Sequence, residues 1–315
     1  VTGMGRSYSM KELKGSVYAV ISAIIFGCMP IVAKYLYAEG CNPVSLVVYR
    51  YSLALPVLLI LALREQGKDE RERKAAGEPS KRDSGMRITM SQLCQFIILS
   101  TGFSLTPILL FSSYNYISSG SATTIHFSYP VLVILASVFI FKEKATWTKI
   151  ASVVFCVIGL VLFYEPGQAN GAAGILLALA SGVTYTFYMM YFERSTLKFM
   201  KPFKTNFYMS LVSAVMVFVL SLATGTFVLF HSIRGWAAAF GFSFMLIVVA
   251  CVLFQLGIAM TGAQKTAILS TFEPLTSIVL GVVCFGEAVG IKTGIGVAFI
   301  LASVISIALF GRKNA

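Results

Sequence analysis

Two ionisable residues, Glu273 and Arg50, stand inside long apolar segments of this 315-residue chain, where charge is costly and marks functional sites. Glu273 precedes Pro274, whose ring removes a helical hydrogen bond and frees backbone groups. A carboxyl group at such a break can bind a cation or carry a proton, or it can form a structural ion pair that locks two helices. Arg50 can pair with Glu273, anchor a carboxylate, or extend its charge to the membrane surface.

A second group of candidate residues combines a histidine with tyrosines. His126 titrates near neutral pH and can relay a proton, or it can serve as a helix-packing histidine. Tyr129 follows three residues later, directly before Pro130. Tyr185 and Tyr188 are three residues apart, so they share one face of a helix, and aromatic faces attract ammonium groups. Ordinary packing is the alternative for both of these tyrosines.

The composition places these residues in a membrane protein. The chain is 57% hydrophobic and 12% charged, whereas a soluble domain carries about 25% charged residues. The net charge of +12 comes from basic residues between apolar runs and not from a patch among aromatic residues. It therefore indicates membrane topology, with the lipid bilayer as the surroundings and no nucleic-acid partner.

The apolar runs predict an all-α integral membrane protein, because each span takes about 20 apolar residues. Ten transmembrane helices are predicted near residues 15–37, 44–63, 91–115, 118–141, 146–164, 171–191, 204–225, 236–259, 263–285 and 289–310. Short links make neighbouring helices antiparallel. The exception is the segment around residues 64–90, which carries many charges of both signs and is predicted to be a solvated, mobile loop.

The basic residues predict the orientation. With the N-terminus inside, nearly all lysines and arginines fall in cytoplasmic segments, and the outer loops hold only Arg234 and Lys292. The positive-inside rule therefore predicts that both termini are cytoplasmic. We expect a multi-pass protein of the bacterial cytoplasmic membrane.

The two halves of the chain resemble each other. A shift of 144 residues aligns Pro130 with Pro274 and Glu143 with Glu287. A shift of 159 residues aligns four further pairs, Gly15 with Gly174, Ala19 with Ala178, Ser22 with Ser181 and Tyr49 with Tyr208. We therefore predict two five-helix halves, residues 1–165 and 166–315. An odd number of spans inverts the second half, an architecture of transporters that expose a midplane site to each side in turn.

Two apolar five-helix units, each closing with a proline and a glutamate 13 residues later, resemble the EamA family of the drug/metabolite transporter superfamily. The matching segments are Tyr49-Arg50-Tyr51, Tyr116-Ile117-Ser118-Ser119, Pro130 with Glu143, Thr261-Gly262-Ala263, and Glu273-Pro274 with Gly286-Glu287. The resemblance implies ten helices around a central cavity, with helices five and ten at the periphery. It also implies substrates such as amino acids, amines, sugars or nucleotide derivatives. Phe26-Gly27, where the family often has Trp-Gly, and His126 depart from its pattern.

We therefore expect a secondary carrier that works by alternating access around a midplane site. The candidate binding or coupling residues are Glu273, Tyr129, His126, Arg50, Tyr185 and Tyr188, and the candidate gating breaks are Pro130 and Pro274. Export of an amino acid or amine is the first hypothesis, because a carboxylate near aromatic rings suits an ammonium group. A carrier of anionic or neutral metabolites, with Arg50 as the anchor, is the alternative, and a scaffold or receptor is a more remote one. A proton or another ion is the expected coupling partner.

Motifs of other classes are missing from the sequence. It has no G-x-S-x-G and no P-loop, and its two histidines and six scattered cysteines build neither a histidine box nor a C-x-x-C site. We expect no catalytic residue, metal or cofactor, and no enzyme. Glu143 and Glu287 are expected to cap helices five and ten. Gly290 and Gly294 form a G-x-x-x-G pattern that is compatible with a homodimer.

Overall fold

The structure is a computed structural model that describes residues 2–75, 85–140, 142, 146–162, 169–261, 266, 269–287 and 290–310. Within these ranges every regular element is helical. In chain order the helices are α1 (Thr2–Gly27), α2 (Met29–Ala38), α3 (Pro43–Ser52), α4 (Leu55–Ala75), α5 (Met90–Ser113), α6 (Ser119–His126), α7 (Tyr129–Phe139), α8 (Trp147–Leu162), α9 (Ala169–Arg194), α10 (Pro202–Ala223), α11 (Ile233–Ser243), α12 (Cys251–Thr261), α13 (Phe272–Phe285) and α14 (Ile291–Phe310). A 3-10 turn, Thr196–Phe199, lies between α9 and α10, and a π-helical stretch, Phe244–Ala250, connects α11 to α12.

Six described helical segments are long and apolar enough to cross a membrane: Glu12–Ala38, Pro43–Glu72, Met90–Ser113, Gly171–Phe192, Pro202–Ala223 and Ile233–Gly257. Three shorter apolar helices cover Ile150–Leu162, Phe272–Phe285 and Ile291–Ser303. Large apolar side chains point outward from these helices, such as Val283, 75% exposed, and Leu176, 66% exposed. Lipid accommodates such a surface and water does not, so this is an integral membrane protein that crosses the bilayer several times.

Prolines mark the interruptions within the predicted spans. Pro30, Pro56 and Pro130 are each the second residue of a helix, in α2, α4 and α7. A proline has no N–H to donate, so it is tolerated in a first turn, where that N–H would find no helical acceptor. Pro274 is the third residue of α13, and the chain ahead of α13 is described only in part. The first, second and fourth predicted spans are therefore each divided into two helices.

The charged segment after the second span differs from its predicted form. α4 continues from the apolar region into this segment and ends at Ala75, so the predicted loop is wrong for residues 64–75. The ion pair of Lys68 with Glu72 at 3.7 Å joins successive turns of the helix. Lys201 Nζ donates to Asp69 Oδ1 at 3.0 Å and connects α4 to the start of α10. Glutamate, lysine, arginine and alanine favour helix, and this propensity outweighed the disorder that the charge density indicated.

The far end of the charged segment also contacts α10. Lys204 Nζ donates to the carbonyl groups of Gly85 and Arg87, at 2.8 Å each. Tyr208 donates its hydroxyl to the carbonyl oxygen of Met86. The described residues on both sides of 76–84 therefore pack against one helix.

Contacts between the two halves of the chain occur in pairs. Ser243 Oγ donates to the carbonyl oxygen of Arg50 at 2.6 Å, and Ser100 Oγ donates to that of Met209 at 3.3 Å. The acceptors, Arg50 and Met209, are 159 residues apart, and the donors, Ser100 and Ser243, are 143 residues apart. These separations are close to the shifts of 159 and 144 residues that align the two halves in sequence. The same contact is thus made twice, each time between a helix of one half and a helix of the other.

Close approaches of helices follow the same pairing. A Cβ built on Gly15 would lie 2.5 Å from Met260 Cβ, and one built on Gly174 would lie 2.9 Å from Tyr116 Cβ. The glycines are again 159 residues apart, and their neighbours 144. A side chain has no room at either glycine, so both close approaches depend on its absence.

The approach of α1 to α13 gives a test of this packing. A Cβ at Gly27 would lie 2.6 Å from the carbonyl oxygen of Glu273 and 2.6 Å from Thr276 Cβ. Gly27→Ala should therefore destabilise the protein by about 1–3 kcal/mol through overpacking, and a thermal melt of the detergent-purified protein should show a lower midpoint. Gly294→Ala is the matched control, because nothing lies within 4 Å of its Cβ position. Its midpoint should equal or slightly exceed that of the wild type, and a Gly27→Ala midpoint equal to the wild type would contradict the close contact.

Candidate functional site

Four predicted site residues meet in one aromatic group, the ring cluster of His126, Tyr129, Tyr185 and Tyr188. His126 ends α6 and Tyr129 begins α7, so the break between these helices brings both rings against α9. The Tyr185 ring centroid lies 5.4 Å from that of His126 and 4.7 Å from that of Tyr129. Tyr188 follows at 5.5 Å from Tyr185. Tilted and edge-to-face contacts of this kind stabilise one another, so the cluster forms a rigid aromatic wall.

Two residues that sequence reasoning missed extend this wall. The Phe103 ring lies 5.2 Å from Tyr188 and 5.0 Å from Tyr51. Tyr51 donates its hydroxyl to the Phe103 carbonyl oxygen at 2.7 Å, and the Arg50 guanidinium lies 5.7 Å from the Tyr51 ring. Aromatic rings therefore run in continuous contact from the ring cluster to Arg50. Tyr51 could have been found beside Arg50, whereas Phe103 is one of 25 phenylalanines and carries no signal of its own.

The hydrogen bonds of His126 define its tautomer. Its Nδ1 lies 2.8 Å from Ser181 Oγ, and Ser181 donates its hydroxyl proton to the carbonyl oxygen of Ala178 at 2.6 Å. The serine oxygen is therefore the acceptor, Nδ1 carries the proton, and Nε2 of the neutral ring is left as an acceptor. His126 is buried. Within the described ranges, no group of three or more histidine, cysteine, aspartate or glutamate side chains is placed to hold a metal ion.

Arg50 lies in α3 as a buried guanidinium, 7% exposed. Its Nη1 contacts Met29 Sδ at 3.8 Å, and the group also lies 5.8 Å from the Phe111 ring. Its Nε receives no hydrogen-bond partner. Among the residues the structure describes, no carboxylate lies within ion-pair distance of Arg50. In the described part of the chain, the contacts of this buried guanidinium are with a thioether sulfur and aromatic rings and not with a counter-ion.

Glu273 is the second residue of α13 and is half-buried. Its backbone packs on Gly27, so the carboxylate extends from the junction of α13 with α1. Arg50 is close enough to interact with it electrostatically, but the two do not form an ion pair. In the described part of the chain the Glu273 carboxylate has no hydrogen-bond donor. The structural ion pair that the sequence left open is therefore absent from this conformation.

Arg50 and Glu273 differ from the residues at the corresponding positions of the other half, although the helix contacts around them are similar. Arg50 corresponds to Met209, and the carbonyl groups of both accept the same serine contact described above. Glu273 corresponds to Tyr129, whose carbonyl oxygen accepts a bond from Thr186 at 3.3 Å. Met209 and Tyr129 make the helix-packing contacts with uncharged side chains. These contacts therefore do not require the charges of Arg50 and Glu273 at the corresponding positions.

Known proteins match this chain along nearly its whole length. The family model described as the EamA-like transporter family matches residues 13–164 and again residues 172–309. The chain belongs to the EamA-like transporter family. A relative called an uncharacterized transporter, from Archaeoglobus fulgidus, is 24% identical over 292 residues, which cover 92% of this chain and 95% of that one. The uncharacterized transporter YyaM of Bacillus subtilis is 24% identical over 306 residues, which cover 94% of each chain.

A solved crystal structure matches this EamA-family chain with a TM-score of 0.65 at 16% identity, covering 95% of this chain and 98% of that one. At this identity the likeness shows the fold alone. The family and the names of the relatives make the protein a membrane transporter, a class whose members are in general not enzymes.

An ion pair outside the ring cluster connects three elements of this EamA-family chain. Lys34 of α2 pairs with Glu287, which lies between α13 and α14. Glu287 Oε1 also accepts from the backbone N–H of Ser119 at 3.2 Å and from its hydroxyl at 2.9 Å. Glu287 therefore caps α6, and the prediction that it caps the tenth helix is wrong because Ser119 and Lys34 lie within its reach. The predicted cap by Glu143 lies outside the described residues.

The environment of Glu287 favours its charged form. Burial raises the pKa of this carboxyl group, but the hydrogen bonds from Lys34 and Ser119 outweigh burial, and the pKa lies below its ordinary value. The stability that the carboxylate contributes is thus present at neutral pH and is lost as pH falls through the lowered pKa of the folded state.

Removing the partners of this ion pair tests its contribution. Glu287→Gln and Lys34→Gln should each destabilise the protein by about 1–3 kcal/mol, because each leaves the other group without its charged partner. The double variant should lose less than the sum of the two single losses. Thermal melts at neutral and acidic pH would measure this, and the gap between wild type and Glu287→Gln should narrow in acid. Additive losses, or a gap independent of pH, would contradict the pairing.

Proposed function

We propose that this EamA-family protein is a secondary carrier that exports an amino acid, bound as a zwitterion between Glu273 and Arg50. The substrate ammonium group pairs with the Glu273 carboxylate, and the substrate carboxylate pairs with the Arg50 guanidinium. An amine would neutralise Glu273 alone, and an organic anion would neutralise Arg50 alone. A zwitterion supplies both counter-ions at once.

The observation that carries this proposal is that, in the described part of the chain, neither the Arg50 guanidinium nor the Glu273 carboxyl group has an ion-pair partner. Arg50 is buried, and its Nε has no hydrogen-bond partner among the described residues. An uncompensated buried charge costs several kcal/mol, so a ligand that brings the missing counter-charge gains the compensation on binding. Arg50 lies in electrostatic range of Glu273, although the two side chains do not form an ion pair.

The aromatic wall supports the same substrate class. Rings in contact run from the ring cluster through Phe103 to Tyr51, beside Arg50. Ring faces bind the apolar side chain of a substrate and also attract its ammonium group. We infer that apolar and aromatic amino acids are preferred over small polar ones.

Transport requires that this site be exposed to each side in turn. We propose ten spans in two inverted halves, residues 1–165 and 166–315, with both termini in the cytoplasm of a bacterial cell. The paired contacts between halves and the two stretches matched by the family model, residues 13–164 and 172–309, support this arrangement. Two similar packings of inverted halves can exchange, which is the physical basis of alternating access.

A proton is the proposed coupling ion. After the ammonium group leaves, Glu273 can take up a proton in its place, so the substrate and the proton compete for one carboxylate. His126, whose Nε2 is free to accept, is the proposed relay between this carboxylate and the aqueous side.

Flux measurements in proteoliposomes test the substrate assignment. Efflux of labelled apolar amino acids should fall about 10-fold or more in Glu273→Gln and in Arg50→Gln, since each loses a charge-assisted interaction of about 1.5–3 kcal/mol. Glu72→Gln and Arg64→Gln are matched controls, because they remove the same charges from exposed positions of α4. Both controls should keep wild-type flux.

The same assay separates the alternatives. Flux of organic anions that depends on Arg50 and is indifferent to Glu273→Gln would replace the zwitterion by the anionic class. Amino-acid flux that survives both site substitutions in correctly folded protein would contradict the proposed site.

A further inference from the structure

A row of buried polar side chains runs along one side of α10. Thr205, Asn206, Ser210 and Ser213 are each at most 2% exposed. In every one of them a side-chain donor or hydroxyl has no hydrogen-bond partner among the residues that the structure describes: Thr205 Oγ1, Asn206 Nδ2, Ser210 Oγ and Ser213 Oγ. The spacing of Asn206, Ser210 and Ser213 at four and three residues places them on one face of the helix.

Polar groups of two neighbouring helices continue this face. Gln255 of α12 donates from Nε2 to Asn206 Oδ1 at 3.1 Å. Ser100 of α5 donates to the carbonyl oxygen of Met209 at 3.3 Å. One turn further along α5 lies Ser104, which is 3% exposed and again has no partner for its hydroxyl. We call the set of Ser104 from α5, Asn206, Ser210 and Ser213 from α10, and Gln255 from α12 the polar seam.

The polar seam leads from one end of α10 to the site. Asn206 lies one turn from the start of α10, and Ser213 lies about 10 Å further, near the middle of the helix. Ser104 directly follows Phe103, whose ring contacts Tyr188 of the ring cluster. The start of α10 carries Lys201 and Lys204, so it is the cytoplasmic end in the proposed orientation.

The seam has no counterpart in the other half. By the 159-residue shift, Asn206 and Ser210 correspond to Val47 and Tyr51 of α3, and Ser213 corresponds to Ala54, which follows α3. All three are buried in the apolar core, and the one hydroxyl group among them, that of Tyr51, donates to the Phe103 carbonyl oxygen. The fold therefore does not require unsatisfied polar groups at these positions. Unsatisfied hydroxyl and amide groups in a buried interface are destabilising, so α10 carries a cost that the corresponding positions of the first half avoid.

We propose that the polar seam is the cytoplasmic half of the substrate route, buried in the present conformation and hydrated when α5 and α10 separate. Its hydroxyl and amide groups then bind water and the polar groups of the passing substrate, which supplies the partners that they lack here. The inference rests on the proposed transport function and orientation, but it does not depend on which substrate is carried.

Accessibility of single cysteines tests the seam. The six native cysteines are replaced, and Ser210→Cys or Ser213→Cys is introduced into the full chain in sealed vesicles of known orientation. A membrane-impermeant cationic thiol reagent added to the cytoplasmic face should modify both at least 10-fold faster than two controls. Val215→Cys, 56% exposed on the outer surface of the bundle, should stay in lipid, and Ala54→Cys, buried at the position corresponding to Ser213, should stay in the core.

Modification of the seam cysteines no faster than the controls, with and without substrate and a pH gradient, would overturn the inference. So would modification from the outer face alone. These results are separable from failure of the proposed substrate class. If the seam cysteines react but the protein shows no amino-acid flux, the route is supported and the zwitterion hypothesis is rejected. If amino acids are transported but the seam cysteines do not react, the zwitterion hypothesis stands and the route is rejected.

Discussion

A bilayer interior supplies no hydrogen bonds, so the polar groups of a protein within it must be satisfied by one another or by whatever binds there. Much of this chain meets that constraint locally, as when Thr124 donates to the Gly120 carbonyl at 2.7 Å within α6. In the described structure neither Arg50 nor Glu273 has an ion-pair partner, and Arg50 Nε also lacks a hydrogen-bond partner. Uncompensated charge of both signs at one place is the condition that the proposed zwitterion relieves.

The frame around this site is duplicated and the site itself is not. Serine-to-carbonyl contacts and glycine-mediated approaches recur in both halves at matching offsets. Within that repeated frame, Arg50 stands where the other half has Met209, and Glu273 where it has Tyr129. The polar seam on α10 breaks the repeat in the same way. In the proposed carrier, the repeated contacts allow two similar packings to exchange, and the residues that differ between the halves bind the substrate and line its route.

The sequence predicted features with a local signal and missed those that depend on distant contacts. Arg50 and Glu273 could be found because ionisable residues in apolar runs are rare, and Tyr185 and Tyr188 because their spacing places them on one face. Phe103 could not be found, since only its distant neighbours distinguish it from other phenylalanines. Glu287 was assigned to the wrong helix because Ser119, its partner, lies 168 residues away. The predicted loop is wrong as far as Ala75, because the helix propensity of these residues outweighs the effect of their charge density.

A ligand series tests whether Arg50 and Glu273 bind the two ends of one substrate. Dissociation constants of an apolar amino acid, its decarboxylated amine and its deaminated acid would be determined for wild type, Arg50→Gln and Glu273→Gln. The account predicts that wild type binds the amino acid about 10-fold or more tightly than either analogue. The Arg50→Gln variant should no longer prefer the amino acid over the amine, and the Glu273→Gln variant should no longer prefer the amino acid over the acid. Wild-type protein that binds the amine or the acid as tightly as the amino acid would contradict it.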